Sequence, residues 1–122
     1  MTALLRAPAL TDFSPLVTVL IPARNEAANI ERCLEAVFAQ DYPNLRVVVA
    51  DDRSTDGTGE ILDRLAQRHE NLRVLHLTDS DVLAGWHGKS NAMRNLFDKG
   101  VRPFDGRDEA AHDVVVAQVR GG

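Results

Sequence analysis

Apolar residues are spaced along this chain in two alternating ways. PLVTVLIP, from Pro15 to Pro22, is an unbroken aliphatic and β-branched run, the pattern of a strand buried on both faces. Pro22 is expected to end it. Asn25 then offers a helix cap, and Ile30, Cys33, Leu34, Val37 and Phe38 recur at helical spacing to give one apolar stripe. That helix should stop before DYPN. LRVVVA, from Leu45 to Ala50, reads as a second buried strand, followed by the acidic turn DDRSTDGT. Ile61, Leu62 and Leu65 mark a second amphipathic helix capped near Asp56 or Thr58, and LRVLHL, Leu72 to Leu77, is a third strand. A polar loop holding AGWHGK leads to a third helix with Ala92, Met93, Leu96 and Phe97, which Gly100 should close. After the connection VRPFDGRDEAAH, the segment DVVVAQV, Asp113 to Val119, predicts a fourth strand.

Strands alternating with helices imply an α/β fold: a mostly parallel sheet with helices on both faces, whose ligands bind beyond the carboxyl ends of the strands. PARNE, DDRSTDGT and the loop reaching GWHGK all begin at such ends. At 122 residues the chain has room for one domain. Residues 1–14 are expected to form a flexible arm, lacking the basic start and apolar core of a signal peptide, and residues 15–122 the folded unit.

A net charge of -4 gives no general attraction for polyanions, which argues against nucleic acid as a partner. No run approaches the roughly 20 apolar residues of a membrane span. Cys33 is the single cysteine and reads as a packed thiol, in keeping with a reducing, cytoplasmic setting. The four histidines, His69, His76, His87 and His112, lack the close pairing of a zinc site, and no metal-ligand role is expected for them.

The chemistry concentrates at the strand ends. Asp51 and Asp52 are adjacent like charges, tolerated best where water, cations or polar ligand groups answer them. A cap requires one carboxylate, so a pair points to a site. Arg24 and Lys89 can offset phosphate charge, while the acids accept hydrogen bonds from a base or ribose. Asp56 and Gly57, by contrast, read as turn and cap residues. Trp86 reads as a loop anchor. GWHGK lacks phosphate-loop spacing and no G-x-G-x-x-G follows the first strand, which weighs against a kinase-type NTPase and against a standard dinucleotide dehydrogenase.

From Leu16 to about Gly100 the chain resembles family 2 glycosyltransferases, through VTVLIPARNE, VVVADDRSTDGT and GWHGKSNAM in that order. The resemblance implies a Rossmann-like GT-A fold that binds a nucleotide-diphosphate sugar, a UDP-sugar first among them. It implies that Pro22, Ala23, Arg24 and Glu26 line the nucleoside pocket, that Asp52 with Asp51 contacts base or ribose, and that Lys89 lies near the diphosphate. It also implies Mg or Mn on a D-x-D motif after the next strand, and transfer with inversion to an acceptor hydroxyl. Here HDVVVAQVRGG stands in that place, so the metal carboxylates and the catalytic base are missing. The expectation is therefore an incomplete fold, the donor-binding half, truncated before the acceptor half and able to associate through an uncovered sheet edge. A full-length relative would work in the cytoplasm or at the inner face of the membrane. Two other readings stay open: a noncatalytic nucleotide-binding module, and a phosphoacceptor receiver domain, although a receiver's acid pair follows its first strand.

Overall fold

The computed structural model describes residues 15–102 and 113–119. The expected arm at 1–14, most of the Pro- and Gly-rich connection, and Arg120 to Gly122 lie outside the described residues. The elements are β1 (Val17–Ala23), α1 (Ile30–Phe38), β2 (Leu45–Asp52), α2 (Thr58–Arg68), β3 (Leu72–Leu77), α3 (Gly88–Asn95) and β4 (Asp113–Val116). A short 3₁₀ turn at Asp79–Asp81 follows β3, and a π-helical turn at Leu96–Gly100 extends α3.

All strand pairs are parallel, and the sheet order is β3-β2-β1-β4. The register sets Val17 against Leu45 on one side and against Asp113 on the other. Because side chains alternate along a strand, β1 and β2 each feed two cores. Val19, Ile21, Val47 and Val49 pack with Ile30 and Leu34 of α1 and with Leu62 and Leu65 of α2. Leu20, Val48 and Ala50 pack on the opposite face with Ala92 of α3 and Leu96 of the turn after it. A continuous apolar run is what two-sided burial requires, and Leu20, Ile21, Val47, Val48 and Val49 are all fully buried.

Several boundaries differ from the sequence pattern, each for a physical reason. β1 runs through Pro22 to Ala23, because Pro22 lies beyond the last residue paired with β4 and its missing donor costs no bond to that strand. β2 continues through both aspartates, carried by its pairing with β3 to Asp52 opposite Leu77. β4 ends at Val116, short of Val119, and Val114, Val115 and Val116 remain exposed at the sheet edge. Asn25 does not cap α1. The helix starts at Ile30 with Asn29 before it, and Asn25 sits in the left-handed region at φ 54°. Phe97 is exposed, because the π-helical turn changes the angular step between side chains after Asn95.

The π-helical turn presses Gly100 against β2. A Cβ at this position would lie 2.9 Å from Val48 Cγ1, and Val48 has no room to retreat because it is fully buried. Gly100→Ala should therefore lower stability by about 1–3 kcal/mol, the usual cost of overpacking. Urea unfolding checks this as a shift of midpoint at constant slope.

Candidate functional site

Three loops meet beyond the carboxyl ends of β1 and β2. The first leaves β1 as Arg24-Asn25-Glu26, and the second leaves β2 as Arg53 to Gly57. Each contains a non-glycine residue in the left-handed region, Asn25 at φ 54° and Arg53 at φ 58°. Hydrogen bonds tie the two loops together: Asn25 N donates to Ser54 Oγ at 2.9 Å, Glu26 N to Thr58 Oγ1 at 2.9 Å, and Ala27 N to Asp56 Oδ2 at 3.1 Å.

Asp56 lies one residue before Gly57, the N-cap of α2, and makes a local turn onto Thr58 in place of a side-chain cap. Its Oδ1 accepts from Thr58 N at 3.1 Å and from Thr58 Oγ1 at 2.5 Å, which satisfies the start of α2 after Gly57 turns the chain at φ 95°. The Thr58 hydroxyl holds the Asp56 carboxyl below the usual carboxylate range. The third loop is organised by Asp81, whose carboxylate accepts from Thr78 N and Lys99 Nζ, and whose carbonyl accepts from Arg94 and Asn95. This fixes α3 so that Gly88 and Lys89 face β1.

Between these loops lies a cavity of about 230 Å³, lined by Pro22, Ala23, Arg24, Glu26, Asp52, Gly88, Lys89, Ala92, Gln118 and Val119. All the expected site residues except Asp51 line it. Asp52 is buried and on the α3 face, with Oδ1 accepting from Arg53 Nε at 2.9 Å. Lys89, on the exposed first turn of α3, donates from Nζ to Gln118 Oε1 at 3.2 Å and so bridges to the segment after β4. One buried carboxylate, one glutamate and two cations around a small apolar floor suit a ligand with hydroxyls at one end and negative charge at the other.

Asp51 must be reassigned. As the neighbour of Asp52 on a strand it points to the opposite face, where its Oδ2 meets His76 Nδ1 at 3.2 Å and its Oδ1 accepts from Ser54 N at 3.2 Å. It lies outside the cavity. A Cβ on Gly59 would come within 2.8 Å of Asp51 Oδ2, so a larger residue there would displace the Asp51 carboxylate from its place beside His76. Gly88, Ala92, Gln118 and Val119 were not singled out in the sequence. Gly88 and Ala92 are small residues one helical turn apart beside Lys89, a pattern that marks a close approach. Gln118 and Val119 carry no such signal, because their place depends on β4 pairing with β1.

The remaining candidates have structural surroundings. Cys33 is half-buried and burial raises its thiol pKa, which disfavours a nucleophile. His69 stacks on Phe38 with ring centroids 4.2 Å apart, and Trp86 lies under the Arg94 guanidinium at 5.9 Å. Among the described residues no group of three His, Cys, Asp or Glu is placed to hold a metal ion; of Val119, Arg120 and Gly121, which stand where a D-x-D motif was expected, only Val119 is among the described residues. These residues do not fit a divalent cation. Among the described residues no helix is long and apolar enough to cross a membrane.

The order β3-β2-β1-β4 reverses the direction of winding between β1 and β4, and the cavity sits at that reversal, flanked by the segments after both strands. This is the architecture of the doubly wound α/β proteins that bind nucleotides at such a point. A receiver domain has the order 2-1-3 and is excluded by it. Residues 18–97 match the profile described as glycosyl transferase family 2. TuaG of Bacillus subtilis, a glycosyltransferase whose name assigns it provisionally to teichuronic acid biosynthesis, is 34% identical over 110 residues, covering 90% of this chain and 43% of its own length. Among solved structures, the mannosyltransferase PcManGT from Pyrobaculum calidifontis in complex with GDP-Man and Mn2+ superposes with a TM-score of 0.57 at 36% identity, covering 70% of this chain and 24% of that one. S. aureus TarS 1-349 in complex with UDP gives 0.58 at 26% identity, with 85% and 27% covered. The chain belongs to glycosyl transferase family 2 and has the parallel α/β sheet of the GT-A fold. It spans less than half the length of the curated relatives it matches.

His76 generates a prediction about pH. Its Nε2 lies 2.8 Å from Asp63 Oδ1 and its Nδ1 faces Asp51, so both ring nitrogens meet carboxylates, and only the imidazolium can donate to both. The Asp63 hydrogen bond does most to raise the His76 pKa, burial opposes it and Asp51 adds to it. The stabilisation is therefore complete below the unfolded pKa of about 6.5 and disappears as pH rises through the higher folded value. Urea unfolding of wild type and His76→Gln should show a stability gap at about pH 5.5 that closes by about pH 8.5. A gap independent of pH would refute the charged bridge.

Proposed function

We propose that this chain binds the nucleoside diphosphate of a sugar donor in the crevice beyond β1 and β2, as the donor-binding half of a sugar-transferring enzyme. The observation that carries this reading is the convergence of Arg24, Glu26, Asp52 and Lys89 on one cavity at the winding reversal, in a chain of family 2. Neighbours of this fold are described in complex with GDP-Man, UDP and UDP-GlcNAc, which supports the ligand class.

In this reading Pro22 and Ala23 form the floor under the nucleoside. The buried Asp52 carboxylate, set by Arg53, accepts hydrogen bonds from ribose or base, with Glu26 beside it. Arg24 and Lys89 meet the diphosphate. During transfer an acceptor hydroxyl attacks the anomeric carbon as the bond to the diphosphate breaks, its proton passes to a base or to solvent, and the nucleoside diphosphate departs with increased negative charge. Lys89 then opposes that charge. Asp51 acts only through the strand end that it holds.

A second reading is a nucleotide-binding module without transfer. It is favoured by the absence of a metal-binding cluster among the described residues. Measured release of UDP from a UDP-sugar separates the two, since the module binds without turnover.

Calorimetric titration with UDP and with uridine tests the pocket. Lys89→Ala should weaken UDP binding by about 1.5–3 kcal/mol, roughly ten- to a hundredfold, and leave uridine unchanged. Asp52→Ala should weaken both ligands. Equal losses for the two ligands on Lys89→Ala, or no loss on Asp52→Ala in a folded chain, would count against this division of roles.

The edge of β4 bears on partners. Val114, Val115 and Val116 are exposed on the strand that ends the sheet among the described residues, a template for further pairing. Sedimentation should reveal concentration-dependent association, and Val115→Lys should reduce it.

A further inference from the structure

The contacts between the first and second loops go beyond what sheet pairing requires. Three successive amides, those of Asn25, Glu26 and Ala27, donate to side chains of the second loop or the start of α2: Ser54, Thr58 and Asp56. In return, Thr55 N donates to Asn25 Oδ1 at 2.8 Å, with Thr55 Oγ1 at 3.4 Å from the same oxygen. Asn25 is thus the one residue of the first loop whose backbone gives to the second loop while its side chain receives from it.

The exchange depends on an unusual backbone. At φ 54° the chain reverses locally, and asparagine is among the few residues that adopt this region readily. The same reversal sends Arg24 and Glu26, on either side, to the cavity, while Asn25 itself stays out of its lining.

We propose that Asn25 is a positioning residue: its paired hydrogen bonds with Ser54 and Thr55 lock the first loop onto the second and so fix Arg24 and Glu26 at the cavity. Its consequence for ligand affinity rests on the donor-binding reading given above. The lock itself does not.

Two variants separate the side chain from the backbone. Asn25→Gly keeps the left-handed conformation and deletes the acceptor, whereas Asn25→Asp keeps both. The readout is amide hydrogen exchange at Glu26 and Ala27, whose own acceptors, Thr58 and Asp56, are intact in both variants. In Asn25→Gly these amides should exchange about tenfold faster and UDP should bind about five- to tenfold more weakly, the effect of one hydrogen bond. In Asn25→Asp the exchange should stay within about twofold of wild type. Unchanged exchange at Glu26 and Ala27 in Asn25→Gly would overturn the lock, as would equal impairment in Asn25→Asp. Urea unfolding of the same variants identifies a merely global effect: a lower midpoint with wild-type UDP affinity overturns the positioning role. If wild type itself fails to bind UDP, the donor-binding reading falls, and the exchange data still decide the lock.

Discussion

The pairing of β1 with a parallel strand on each side is the constraint from which the site follows. With β2 on one edge and β4 on the other, the chain must wind away from β1 in two directions, and successive connections diverge. No helix can then cover the gap directly beyond β1. The polar loops after β1 and β2, the start of α3 and the residues after β4 surround that gap, so the crevice is a result of topology before it is a result of side-chain chemistry.

Within that frame, the two-residue period of a strand divides the acidic pair. Asp52 shares a face with Val48 and Ala50 and lines the cavity. Asp51 shares a face with Val47 and Val49 and joins the α2 side through His76 and Ser54. Two chemically identical side chains thus acquire different work from one step along the backbone. The Asp51 side then braces the strand end that carries Asp52, and Gly59 leaves the Asp51 carboxylate its place in that brace.

Much of this was legible in the sequence. The aliphatic runs at 15–22 and 45–50 read as buried strands and 72–77 as a third strand, and the stripe Ile30, Leu34, Val37 declared its helix. The clustering at the strand ends was legible, since Arg24, Glu26, Asp52 and Lys89, expected along one edge of the sheet, line one cavity. The failures share a cause in tertiary contact. Asn25 is a good cap in isolation, yet its side chain serves Thr55, thirty positions away. Asp51 could not be told from Asp52 without the pleat phase at the strand end. Phe97 fits a helical stripe until the π-helical turn breaks the period. Gln118 and Val119 line the cavity only because β4 lies beside β1.

That last pairing has a consequence for the order in which the molecule assembles. β1 and β2 are neighbours in sequence and close a short loop, whereas Val17 and Asp113 have nearly the whole described chain between them. Contacts of such separation carry the greatest loop-closure entropy and belong to the slow, late part of folding. The wall made by Arg24, Glu26 and Asp52 therefore comes together while the wall made by Gln118 and Val119 is still absent. Nascent or partly folded chains present the cavity as an open half, and its closure becomes a measure of completed folding.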